Sequence, residues 1–316
     1  MNVIFNHDEN RIRAGGRIVA QLLLMFMIAL GLILILSQFV DTSGNVLTTL
    51  ATAVGAVSSM YLAARSLDVR PCSNYGLIFN QQAARECLWG VALAALAMGI
   101  IFLVEYAAGW VTVTGWGWQH HRPDESFILW LGGYLFFMII VGFWEELVFR
   151  GYQIVNLSEG FNFPGFTPRQ AVMAAVLLSS IVFGVMHALN PNAGILSTLN
   201  ITLAGAMLAF PFVITGRLAL SIGLHIGWNF FQGGIFGFPV SGVRARNSLA
   251  QIDQAGPAWL TGGSFGPEAG LLGLAGLTII IGGLVWYLKF IDESLDIRKE
   301  LAAYPSNQHK IPEQSL

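Results

Sequence analysis

The feature that most constrains this chain is a series of uninterrupted apolar stretches, each long enough to cross a bilayer. They lie near 18–40, 46–64, 87–110, 127–149, 170–188, 193–214, 217–236 and 269–290. About 20 residues at 1.5 Å per residue cover roughly 30 Å of hydrocarbon, so each stretch is a candidate membrane helix. Within lipid a helix satisfies its own backbone hydrogen bonds, which an open sheet does not. The expected fold is therefore all-α, a polytopic transmembrane helical bundle of about eight spans. Composition agrees, with 55% hydrophobic and only 11% charged residues and a mean hydropathy of +0.64. Soluble domains carry about a quarter charged residues. Helices packed side by side share one interior, so residues 1–316 are expected to form a single membrane domain.

The few charges encode orientation. Placing Arg11, Arg13, Arg17, Arg65, Arg70, Arg85, Arg150, Arg169, Arg217, Lys289, Arg298, Lys299 and Lys310 on one side leaves Arg122, Arg244 and Arg246 on the other. Cytoplasmic loops are enriched in Lys and Arg, so both termini are expected in the cytoplasm, as an even number of spans also requires. The first apolar run is too long for a signal-peptide core, and Asp41, Thr42 and Ser43 follow it without a small-residue cleavage site. It is expected to remain as a first span. Short loops suit a bacterial or archaeal plasma membrane.

Between the third and fourth spans, Gly115-Trp116-Gly117-Trp118 and the run from His120 to Glu125 read as an interfacial loop. Residues 237–268 form a Gly/Pro-rich, non-cytoplasmic loop, expected either to lie plainly on the surface or to cover the mouth of the bundle as a lid. Residues 292–316 read as a polar cytosolic tail ending in disorder. Cys72 and Cys87 have no metal-type neighbours and read as free thiols. No basic run suits nucleic acid, so the expected partners are membrane lipid and a substrate, and the composition leaves oligomeric state open.

Ionisable residues inside spans are costly in lipid and so point to function. The fourth span carries Glu145 and Glu146, followed by Arg150. Glu146 and Arg150, four residues apart, share a helix face and can pair, while Glu145 points about 100° away. Phe183 and His187 stand one turn apart in the fifth span, and His225 and Asn229 one turn apart in the seventh. Peptide hydrolysis needs an activated water, a proton for the leaving amine and donors to the developing oxyanion. Glu145 and His187 suit the first two tasks, His225 and Asn229 the third. The hydroxyls of Ser179, Ser180 and Ser221 are expected to bond to backbone rather than act as nucleophiles. If the fourth helix runs about two turns past Arg150, Glu145 and His187 differ in depth by roughly 12 Å. Tilt, a kink at Gly184 or an earlier helix start has to close that gap.

In order along the chain, E-E-x-x-x-R (Glu145, Glu146, Arg150), F-x-x-x-H (Phe183, His187) and H-x-x-x-N (His225, Asn229) resemble the type II CAAX prenyl endopeptidase and bacteriocin-processing family of intramembrane proteases. The resemblance covers 127–236, the catalytic motif core. It implies an intramembrane endopeptidase in which Glu145 activates water with His187, His225 and Asn229 form the oxyanion hole, and Glu146, Arg150 and Phe183 support them. The family has been described both as metal-free glutamate proteases and as zinc enzymes. Without an H-E-x-x-H pair, metal-free catalysis is the favoured expectation, with Glu145, His187 and His225 as ligands if zinc is bound. The substrate implied is a membrane-associated peptide or protein, C-terminally lipidated in eukaryotic relatives. Two other readings stay open: a non-catalytic membrane scaffold or immunity protein, and a transporter, although no inverted repeat is visible.

Overall fold

The computed structural model describes residues 5–7, 9–39, 45–119 and 126–304. The expectations for Val40 to Ser43, for His120 to Glu125 and for the end of the tail fall outside these residues. A short hairpin, β1 (Phe5–Asn6) and β2 (Arg11–Ile12), leads into α1 (Ala14–Leu36), α2 (Asn45–Ser66) and α3 (Gln81–Ala107). Strand β3 (Val111–Trp116) precedes α4 (Phe127–Glu146), which continues through wide i→i+5 turns at Leu147–Gln153 into α5 (Ile154–Phe161). Then follow α6 (Pro168–His187), α7 (Ile195–Thr215) and α8 (Ala219–Asn229), the last extended by wide turns at Phe230–Ile235. Strand β4 (Ala250–Gln254), the single turn α9 (Ala258–Thr261) and α10 (Leu271–Phe290) complete the described chain.

Seven helices among the described residues are long and apolar enough to cross a membrane: α1, α2, α3, the continuous α4–α5, α6, α7 and α10. The protein is a multi-pass membrane protein. The remaining expected span, 217–236, is helical but shorter, and it is the innermost element. Every residue from Leu220 to Asn229 except Ile222 is buried. Its apolar character therefore faces protein on all sides, which periodicity alone does not separate from a lipid-facing helix.

Glycine brings α8 to this position. A Cβ on Gly223 would stand 2.0 Å from the Cys87 carbonyl oxygen, and one on Gly227 2.7 Å from that of Val91. Gly90 on α3 answers them, 2.7 Å from the Leu220 carbonyl oxygen by the same measure. The α3 and α8 backbones thus meet directly, as small residues allow where helices associate without a hydrophobic drive. Gly142 of α4 repeats the device, its missing Cβ leaving room for Ile226. Leu93, Ala94, Ala97, Leu224 and Leu284 fill the core around this contact.

The basic flanks do more than orient the chain. Arg11 and Arg17 pair with Glu159 at 2.9 and 2.7 Å, Arg70 also pairs with it, and Arg17 pairs with Asp68. The Tyr75 hydroxyl donates to Asp68 at 2.8 Å. Their side chains are largely buried, and together they pin the far end of α5 to the start of α1 and the end of α2. Burial pushes the Arg70 guanidinium down and the Tyr75 phenol up from their ordinary values.

At the opposite end the Gly/Pro-rich loop is folded rather than loose. Its β4 pairs antiparallel with β3, Val111 opposite Gln254 and Trp116 opposite Ala250. The β-branched run Val111-Thr112-Val113-Thr114 is the signal for β3 that the span-based reading passes over. Phe238 and Phe265 are buried, and Gly242, at φ +85°, lies so close to the Pro191 carbonyl that no side chain would fit. The loop therefore caps the ends of α6 and α8.

Gly223→Ala is expected to lower the melting temperature in detergent, by an overpacking cost of about 1–3 kcal/mol. Gly132→Ala, whose new methyl group meets nothing within 4 Å, should leave it unchanged or slightly raised. Equal effects of the two would show that the α3–α8 contact is not tight.

Candidate active site

Three helices bring the expected residues to one cleft of about 340 Å³, whose wall includes Glu145 from α4, His187 from α6, and His225 and Asn229 from α8. A smaller apolar cavity adjoins it, lined by His187, His225 and Asn229 and by Phe183 and Glu268. The depth offset expected from sequence is closed by helix length. Because the fourth helix continues to Phe161, about three turns beyond Arg150, Glu145 lies sixteen residues, about 24 Å, from its end. His187 lies nineteen residues, about 29 Å, from the start of α6. Roughly 5 Å remains, less than one turn. The start of α6 is fixed by a capping box between Thr167 and Gln170 with Pro168 at its first position.

The supporting residues have visible roles. Arg150 donates to Oε1 of Glu146 at 2.9 Å, as the four-residue spacing predicts, and to the Gly205 carbonyl at 3.3 Å. Its guanidinium lies 4.2 Å from the Phe183 ring centroid, so a cation rests on an aromatic face inside the bundle. The same Glu146 oxygen stands 2.7 Å from Nδ1 of His225. Glu146 thus joins α4 to α8 and fixes the His225 ring, with Nε2 turned to the cleft 3.8 Å from Oε2 of Glu145. The sequence spacing gives the Glu146–Arg150 pair but contains no sign of the bond to His225, which spans 79 residues.

The F-x-x-x-H spacing has a backbone reason as well. Nδ1 of His187 lies 2.8 Å from the Phe183 carbonyl oxygen, one turn earlier. A carbonyl only accepts, so Nδ1 carries the proton and a neutral His187 keeps its lone pair on Nε2. The rings of Phe183 and His187 lie 4.5 Å apart, tilted by 52°. Oε2 of Glu145 is buried and makes no hydrogen bond among the described residues, a costly state for a structural carboxylate and a suitable one for a group that meets a water or a substrate. The serines behave as expected where hydrogen bonds define them: Ser179 donates to the Phe149 carbonyl and Ser221 to that of Leu208. Cys72 and Cys87 are free thiols.

Zinc requires donors that close on one point at about 2 Å. Among the described residues no three His, Cys, Asp or Glu side chains do so. Nδ1 of both histidines is engaged, by a backbone carbonyl and a carboxylate, an arrangement that equally orients a metal-bound imidazole through Nε2. Glu145, His187 and His225 share a cleft, but as placed they do not close on one point.

One residue of this site is absent from the sequence reading. Glu268, in a short turn (Pro267–Ala269) between α9 and α10, is buried at the wall of the smaller cavity. It accepts from Nε2 of Gln232 at 2.8 Å and from the backbone N–H and hydroxyl of Ser241 at 3.2 and 3.3 Å. Burial pushes its carboxyl up to about 7, only partly offset by these donors. No spacing rule connects a carboxylate in a Gly/Pro-rich loop to a helix 39 residues earlier, so only the fold brings it here.

The arrangement is that of a polytopic α-helical membrane protein with carboxylates and imidazoles gathered at a cleft inside the bundle. Residues 127–231, a third of the chain, match the family model Rce1-like, described as Type II CAAX prenyl endopeptidase Rce1-like. All seven motif residues lie within the match, whereas Glu268 and the capping loop lie beyond it. The match supports the resemblance seen in the motifs. No curated protein and no solved structure matches the chain.

Two outcomes follow for stability. Arg150→Met leaves Glu146 buried without its cation and is expected to cost about 3–5 kcal/mol, read as a large fall in melting temperature. The double variant Arg150→Met, Glu146→Gln should recover part of it. For Glu268, a folded-state pKa raised from 4.5 to about 7 means that the fold favours the protonated carboxyl. The penalty is absent below pH 4.5, grows between 4.5 and 7 and is complete above. Relative to Glu268→Gln, the wild type is therefore expected to lose about 3 kcal/mol of stability as pH rises through that window. A flat difference between the two proteins across pH 4 to 8 would refute it.

Proposed function

We propose that this protein hydrolyses a peptide bond of a membrane-associated substrate by a metal-free glutamate mechanism, in a bacterial or archaeal plasma membrane. The convergence of Glu145, His187, His225 and Asn229 from three helices on one cleft carries the reading. A water between the Glu145 carboxylate and Nε2 of His187 loses a proton to this pair as its oxygen attacks the carbonyl carbon. The carbonyl electrons move to the oxygen, and the resulting oxyanion accepts hydrogen bonds from Nε2–H of His225 and the amide of Asn229. For His225 to donate there while Nδ1 serves Glu146, its ring is the imidazolium, a charge that Glu145 and Glu146 offset. The C–N bond then breaks, and the proton taken from water passes to the leaving amine. Glu146, Arg150 and Phe183 position the reacting groups and touch no substrate atom.

The direct test is cleavage of membrane-tethered fluorogenic peptides by the purified full-length protein. Glu145→Ala and His187→Ala are expected to abolish turnover, and Asn229→Ala to lower kcat by about 10²–10³ with little change in KM, the usual cost of one oxyanion donor. A zinc chelator should leave the wild-type rate unchanged. Cleavage that survives Glu145→Ala would sink the assignment, and chelator sensitivity would replace the metal-free mechanism by a zinc-dependent one.

A further inference from the structure

The cleft and the basic residues occupy opposite ends of the molecule. Its wall includes Thr48 and Thr49 at the start of α2, Asn190 just after α6, and Ser241, Val243 and Ala245 in the capping loop. All belong to the end where α1, α3 and α6 finish. At the other end, where α1, α3 and α6 begin and α10 finishes, stand eleven cations: Arg11, Arg13, Arg17, Arg65, Arg70, Arg85, Arg169, Arg217, Lys289, Arg298 and Lys299. Among the described residues only Arg244 and Arg246 are at the cleft end, and Arg150 is paired within the bundle. An eleven-to-two bias in segments close to helix ends sets the basic end in the cytoplasm, and the mouth of the cleft then opens on the opposite side.

The chemistry of the wall adds an independent limit. Around the two adjoining cavities stand the carboxyls of Glu145 and Glu268, and neither wall includes Lys or Arg. Arg244, beside the lining residue Ala245, donates to the Ile252 carbonyl at 3.1 Å. Removing a C-terminal tripeptide would bring the substrate's terminal carboxylate within a few residues of the scissile bond, against these acids, with no Lys or Arg in either wall and the His225 imidazolium already committed to Glu146 and the oxyanion. The neighbouring wall is apolar, with Phe137, Met138 and Val141 of α4, and Glu145 lies near the middle of the helix Phe127–Phe161. An entering segment has to be extended and apolar to reach it.

Resting on the protease reading above, we infer that the substrate is a membrane-tethered polypeptide cut at an internal bond from the non-cytoplasmic side. A protein prenylated at a C-terminal Cys-a-a-X, which anchors from the cytoplasmic leaflet and presents a free terminal carboxylate, does not suit this cleft.

Two measurements test this. Sidedness is read without activity: in a background lacking Cys72 and Cys87, the exposed positions Asp253→Cys on β4 and Ser66→Cys at the end of α2 are treated in intact cells with a membrane-impermeant maleimide. Labelling of Asp253→Cys alone, with Ser66→Cys reacting only after permeabilisation, is expected, and the reverse pattern overturns the inference. In liposomes, a tethered apolar peptide with an internal scissile bond should be cleaved with a kcat/KM roughly 10-fold or more above that of a farnesylated Cys-a-a-X peptide with a free carboxylate. Amidation of the farnesylated peptide should narrow the gap. Preferential, Glu145-dependent cleavage of the free-carboxylate farnesyl peptide would overturn the inference and leave the protease reading standing. Turnover that survives Glu145→Ala would instead remove the Glu145 mechanism proposed above, while the labelling pattern still decides sidedness.

Discussion

A single oxygen of Glu146 bonds to both Arg150 and His225, and the site depends on that shared contact. Through Arg150 it reaches the Gly205 carbonyl on α7 and the Phe183 ring on α6, and through His225 it reaches α8. Four helices are thus referenced to one carboxylate. Inside a bundle, where each unpaired ion costs several kcal/mol, such a network has few alternative arrangements. It holds the His225 ring firmly while Glu145, one residue earlier and about 100° around the helix, keeps one oxygen without a hydrogen-bond partner at the cleft wall.

Packing supplies the conditions for this contact. Gly223, Gly227 and Gly90 let α3 and α8 approach backbone to backbone, and Gly142 lets α4 follow. At the basic end, Glu159 gathers Arg11, Arg17 and Arg70 and secures the long α4–α5 helix that carries both glutamates. At the other end the capping loop inserts Phe238 and Phe265 into the interior and presents Glu268 to the smaller cavity. The site is held between an ionic anchor below and a folded cap above, an arrangement that keeps the cleft residues on rigid helices.

Local spacing made much of the site legible. Glu146 with Arg150, Phe183 with His187, and His225 with Asn229 are all four-residue pairs, and helix geometry alone puts each pair on one face. The first two became contacts of the kind expected, the second through the Phe183 backbone. The bonds between motifs were not legible, because helix rotation and depth depend on partners far along the chain. The same limit explains the long-range β3–β4 pairing, Glu268, and the burial of α8 within the bundle.

By itself the sequence determined the solvent, the number of apolar segments, the charge bias between their ends and the three pairs of site residues. Each follows from composition or from contacts within four residues. Tertiary structure alone decided that the fourth helix runs on to Phe161, which brings Glu145 and His187 to similar depth, and that the His225 ring is fixed by Glu146. It also decided that a carboxyl from the Gly/Pro-rich loop joins the cavity wall. These outcomes depend on how close two backbones can come and on where a buried charge finds its partner, and neither quantity is set by residues adjacent in sequence.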